Sequence, residues 1–174
     1  MKRTLAVLAA ICLVAVSLAA QAAPKKVLSG KDIEAFIANF DGIERDMDAL
    51  GEKYDEYFEA EDQDGTASPS MIIAQMRARK VPEEVKAILK KHGLGDNGFE
   101  KIIVISAGFG ALEMDSSIAA QEQEYADYPE MAGYLDQAKQ QTSELKASIH
   151  KDDLSLISTR SNELRTLFNE ESEE

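Results

Sequence analysis

Apolar residues fall at Ile33, Phe36, Ile37, Phe40, Ile43, Met47, Leu50, Tyr54 and Tyr57, mostly in steps of three and four. That spacing predicts an amphipathic helix with one buried stripe. Glu34, Glu44, Asp46, Asp48, Glu52 and Glu56 occupy the other face. Ser29 and Asp32 stand ahead of it at capping-box spacing. Gly42 and Gly51 weaken the pattern, so a kink or break is expected near Asp41-Gly42.

Glu-Asp-Gln-Asp-Gly-Thr-Ala at 61–67 reads as a loop. Ser68-Pro69 restarts a helix, with Ser68 as N-cap and Pro69 at the position where a missing N–H costs nothing. That helix carries Met71, Ile72, Ile73 and Met76, and ends on Arg77, Arg79 and Lys80, which suit the negative end of a helix dipole. Val81-Pro82 opens a short helix with Glu83 and Glu84 in its first turn and Val85, Ile88 and Leu89 facing inward. Gly93-Leu94 predicts a Schellman stop.

Asp96 or Asn97 caps the next element, and residues 99–112 are almost wholly apolar. The β-branched run 102–105 has a strand-like composition. No second strand offers itself, and a lone strand would leave its backbone groups unpaired. The expectation is a helix buried on most sides, too short and too closely bracketed by Lys101 and Glu113 to span a membrane. Ala107, Gly108, Gly110 and Ala111 leave it one patch without bulk, where a neighbouring helix fits closely. Residues 115–126 extend it with a more polar stretch, and Tyr128-Pro129 breaks it. Residues 129–149 return to amphipathic helix, and Asp152 is expected to cap a last helix carrying Leu154, Ile157, Leu164, Leu167 and Phe168. The tight Lys151-Asp152-Asp153 connection predicts that these two helices form an antiparallel hairpin.

The fold class is therefore all-α: a single compact bundle of five to seven helices around a central apolar helix, with an antiparallel C-terminal hairpin. Residues 29–170 form the domain, 23–28 a linker, and 171–174 a frayed acidic tail.

The first two dozen residues have a different pattern. Lys2 and Arg3 precede an apolar run over residues 5–20, and Ala20-Gln21-Ala22 offers small residues at the spacing of a cleavage site. This reads as an export signal removed after Ala22, with residues 1–22 a cleaved signal peptide. The run is shorter than the about 20 residues of a spanning helix. Export implies a periplasmic or otherwise secreted protein. It also removes Cys12, the only cysteine, leaving no thiol for catalysis, redox work or metal binding.

The whole chain carries 19 Lys and Arg against 32 Asp and Glu, a net charge of −13. Loss of Lys2 and Arg3 takes the remainder to about −15. Such a surface repels phosphate backbones and anionic lipid, so nucleic acid is excluded as a partner. Basic proteins, cationic peptides and divalent cations are the electrostatically sensible ones.

Candidate chemistry is sparse. Asp62-x-Asp64-Gly65 resembles part of a calcium loop, but the first ligand, the hydrophobic anchor and the closing Glu are missing. Glu59, Glu61, Asp62 and Asp64 remain weak cation candidates only. His92 and His150 are placed near helix C-termini as dipole partners, with no second ligand at metal-binding spacing. Gly108-Phe109-Gly110 lacks the strand–turn–helix setting of a phosphate cradle, and no nucleophile motif occurs. The expectation is no enzyme, no cofactor and no metal. Tyr125, Tyr128 and Tyr134 cluster around Pro129 as a possible partner surface.

Leu28-Ser29-x-x-Asp32 with Phe36 and Phe40, and Gly93-Leu94 followed by Gly98-Phe99, resemble elements of small exported all-helical proteins of Gram-negative bacteria that have no assigned function. The Trp that often follows Gly-Phe in such proteins is absent here. The resemblance implies export and a helical fold, and it transfers no catalytic residue. The Leu-Thr-x-x-Gln motifs of periplasmic stress chaperones are also absent. The functional expectation is a non-enzymatic periplasmic binding or accessory protein, chaperone-like in character, with an envelope protein or peptide as partner. A weak divalent-cation or small-ligand binding protein is the alternative.

Overall fold

The 3.6-residue stripes of the sequence become seven α-helices and one 3₁₀ turn, with no strand among the described residues. A computed structural model of the protein describes residues 23–51 and 69–170. Residues 1–22, expected as an export signal, Tyr54 and Tyr57 of the first stripe, the expected acidic loop with Glu59, Glu61, Asp62 and Asp64, the expected Ser68 cap and residues 171–174 lie outside the described residues.

Helix α1 (Gly30–Asp48) starts at the expected cap. The Asp32 carboxylate accepts hydrogen bonds from the Ser29 amide at 2.8 Å and the Ser29 hydroxyl at 2.6 Å. The stripe then buries Ile33, Phe36 and Ile43. The break expected at Asp41-Gly42 does not occur, and α1 runs through it. Gly42 is there to make room: a Cβ on it would lie 2.7 Å from Cε1 of His92. The imidazole occupies the space beside the glycine.

Helices α2 (Pro69–Ala78) and α3 (Glu83–Lys91) follow. The stop after α3 has the predicted Schellman form. Gly93 adopts φ +85°, the Leu94 amide donates to the Leu89 carbonyl at 2.9 Å, and the Gly93 amide to Lys90 at 3.1 Å. Val85, Leu89 and Leu94 are fully buried. Each contributes about 1.5–3 kcal/mol from burial.

The apolar run is helical, as the missing partner strand required. Helix α4 (Gly98–Glu124) buries Phe99, Ile103, Val104, Ile105, Phe109, Ala111 and Ile118, and α2, α3, α5 and α6 all pack on it. At 27 residues it is long and apolar enough to cross a membrane by length and composition, which corrects the expectation of a helix too short to do so, because the polar stretch 115–124 continues the same helix. Core helices of soluble proteins share that property, and here Phe99, Ile103, Val104, Ile105, Phe109 and Ala111 belong to the buried core. The patch without bulk is used where Gly108 meets Ile157, Leu154 and Ile149, whereas Gly110 has open space beside it.

After the 3₁₀ turn Pro129–Met131 come α5 (Ala132–Ala147), α6 (Lys151–Thr159) and α7 (Ser161–Glu170). Two expectations change here. The last helix is two, divided at Arg160, where Ser158, Thr159 and Ser161 gather and the Thr159 hydroxyl donates to the Leu156 carbonyl at 2.7 Å. The start of α6 is capped by His150, whose Nδ1 accepts from the Asp152 amide at 3.2 Å. His150 therefore serves a helix N-terminus, where Asp152 had been expected to act. Finally, α5 packs on α4 and α2 while α6 packs on α4 and α1, so the hairpin partners each lean chiefly on α4.

Residues 27 and 28, read as the end of a linker, belong to the body of the protein. Leu28 is in the core and Val27 packs against it. Their amides donate to the fully buried Asp153 carboxylate, Val27 at 2.8 Å and Leu28 at 2.9 Å. At the other end of the chain, Phe168 closes an aromatic cluster. Its ring lies 5.2 Å from Phe109, 5.8 Å from Phe40 and 6.2 Å from Phe36, joining α7 to α4 and α1.

Candidate functional sites

The turn between α4 and α5 forms because Tyr128-Pro129 cannot continue a helix. The Tyr125 amide still donates to Gln121 at 2.8 Å, and the Tyr128 amide then closes on Tyr125 at 2.9 Å. This brings the Tyr125 and Tyr128 rings edge to face, with centroids 6.1 Å apart. They border a shallow depression of about 220 Å³ with Glu122, Pro129, Leu135, Asp136 and Lys139. Tyr128 is 54 % exposed. Tyr134 is 71 % exposed but does not line the depression, so two of the three expected tyrosines are gathered and the third stands apart.

The segment that carries the depression is acidic. Residues 122–136 include Glu122, Glu124, Asp127, Glu130 and Asp136 and no Lys or Arg. Lys139 enters from the next turn of α5 and pairs with Glu122. That hydrogen bond raises the Lys139 pKa, so its charge is committed to the pair.

A second and larger concavity lies between α2, the end of α5 and the N-terminal segment. This cleft of about 550 Å³ is lined by Pro24, Ser70, Ile73, Ala74, Arg77, Ala78, Ala147 and Ser148. Arg77 is the one charged residue among the described residues lining it. Its Nη1 donates to the Ser148 carbonyl at 3.2 Å, while its Nε is buried without a hydrogen-bond partner and lies 4.0 Å from the Glu100 carboxylate.

From the sequence, Arg77 reads as a dipole cation at a helix end. The overlooked signal is its spacing: it follows Ile73 by four residues and so shares the face that Ile73 buries.

Two further charge clusters are structural. Lys101 donates to Asp32 at 2.6 Å and to the Leu94 carbonyl at 2.7 Å, tying α4 to the start of α1 and to the stop after α3. Burial pushes the Asp32 carboxyl up, but the hydrogen bonds from Lys101 and Ser29 outweigh it and hold the carboxyl below its ordinary range. Further along α1, Oδ2 of Asp46 meets Nζ of Lys91 at 2.6 Å and Nε2 of His92 at 2.7 Å. Among the described residues no three His, Cys, Asp or Glu side chains are placed to hold a metal ion.

Comparison with protein-family models, with curated proteins and with solved structures finds no match for the chain.

Proposed function

We propose that this chain is an exported, non-enzymatic binding protein of the periplasm whose contact face is the Tyr125–Tyr128 corner. Its partner on this reading is a basic, flexible segment of an envelope protein. The observation that carries the reading is the edge-to-face pair of exposed Tyr128 and half-buried Tyr125 on an acidic segment, with the neighbouring Lys139 already paired to Glu122. Tyrosine offers a large, stiff contact area and a ring face that attracts Lys and Arg side chains. The surrounding carboxylates supply the charge complement that steers a cationic partner and fixes its orientation. Export rests on the basic head, apolar run and small-residue cleavage pattern of residues 1–22.

The test is fluorescence anisotropy of a labelled decapeptide alternating Lys and Ala, at low and at physiological salt. Binding should weaken about three- to tenfold in Tyr128→Ser, which leaves the charge unchanged. Asp127→Asn should weaken it more than Asp41→Asn on α1. Equal effects of the two carboxylate changes, with none from Tyr128→Ser, would reduce the interaction to non-specific charge and overturn the reading.

A further inference from the structure

The cleft beside Arg77 has features that the tyrosine corner does not explain. We infer that it is a binding site for a small carboxylate with a short apolar body, the carboxylate held by the Arg77 guanidinium. A cleft of about 550 Å³ lies within the size range of small-ligand sites. Ile73, Ala74, Ala78, Ala147 and Pro24 give it apolar walls, and Ser70 and Ser148 are its uncharged polar members. Among the described residues of that lining Arg77 is the one cation, in a chain whose net charge is −13.

The guanidinium is under-used where it sits. It offers five N–H donors in a planar fork. Among the described residues it meets one carbonyl at 3.2 Å and the Glu100 carboxylate at 4.0 Å, beyond hydrogen-bond reach. A quarter of the Arg77 side chain remains exposed. An incoming carboxylate provides the planar pair of acceptors that matches the guanidinium fork, and its hydrocarbon part leaves water for the Ile73 wall. A neutral alcohol of the same length supplies the apolar part without the charge, and an amine reverses it.

Site and partner here are independent of the tyrosine corner, so either reading can fail alone. The probe is hexanoate at neutral pH, titrated against isotopically labelled protein, with hexan-1-ol, hexylamine and acetate as comparisons. Hexanoate should shift the resonances of Ile73, Ala74, Ala78 and Ala147 in a saturable way. The alcohol and acetate should bind at least about tenfold more weakly, and the amine should not compete. Arg77→Met keeps the apolar stem and should weaken hexanoate about tenfold or more. Glu100→Gln removes a competing anion and should tighten binding about twofold.

Melting curves of both variants show whether they fold. If Arg77→Met does not, the ligand comparison on the wild-type chain still decides. Absence of saturable shifts up to about 10 mM hexanoate, far above useful affinity, overturns the inference. So does equal binding of the alcohol, or unchanged binding to folded Arg77→Met.

Discussion

Asp46 concentrates two donors on one oxygen, Nζ of Lys91 and Nε2 of His92. The hydrogen bond from Lys91, then the one from His92, hold its carboxyl at about 2, below the ordinary 3.8. A depressed pKa means the fold favours the ionised form. The stabilisation is therefore complete above the unfolded value of 3.8, and is lost as pH falls through that value toward about 2. Asp46→Asn should lower the urea midpoint at neutral pH, and the gap to the wild-type chain should close between about pH 4 and pH 2. A gap that stays constant over that interval would remove the ionised carboxylate as its cause. The same cluster explains why Gly42 does not break α1. With its ring anchored by Asp46, His92 occupies the space that a Cβ at position 42 would need.

At the scale of elements, Gly108 and Gly110 read alike in the sequence and differ in the bundle. A Cβ on Gly108 would run into Cδ1 of Ile157 on α6, whereas one on Gly110 meets nothing within 4 Å. Gly108→Ala should therefore destabilise by about 1–3 kcal/mol through overpacking of the α4–α6 contact. Gly110→Ala should stabilise by about 0.5–1 kcal/mol, because alanine loses less backbone freedom in a helix. Urea denaturation of the two single variants checks both signs, and equal signs would refute the assigned packing. The small-residue patch was legible in the sequence; which glycine makes the contact was not, since that depends on where α6 crosses. The stripes, the Ser29–Asp32 cap and the Schellman stop were legible for the opposite reason, being set by residues three to five positions apart. The division at Arg160 was masked by the continuous apolar spacing of Leu154, Ile157 and Leu164, which hid the Ser and Thr cluster between them.

At the scale of the whole molecule, long-range ties were the least legible part. The candidate sites show this. The tyrosine pair was visible because Tyr125 and Tyr128 are three residues apart, while the Arg77 cleft needs Pro24, α2 and the end of α5 together. Asp153 is the clearest case. Its sequence position in the first turn of α6 marks it as a dipole partner. Its buried carboxylate instead captures amides 126 and 125 positions away, those of Val27 and Leu28. Backbone donors in the interior need acceptors, and here one side chain serves two of them. Asp153→Asn offers a single carbonyl oxygen and turns an NH₂ group toward the remaining amide. One buried donor then loses its acceptor, at an expected destabilisation of about 2–3 kcal/mol. Hydrogen exchange separates this tie from a general loss of stability. In the wild-type chain the Val27 and Leu28 amides should exchange as slowly as those of Ile105 and Leu89 in the core. In Asp153→Asn they should open locally and exchange faster than the core amides, because the strand of chain at 27–28 comes off while α4 and its neighbours stay packed. Fast exchange at both amides in the wild-type chain would show that Leu28 is not held, and with it would fall the N-terminal wall that Pro24 adds to the Arg77 cleft.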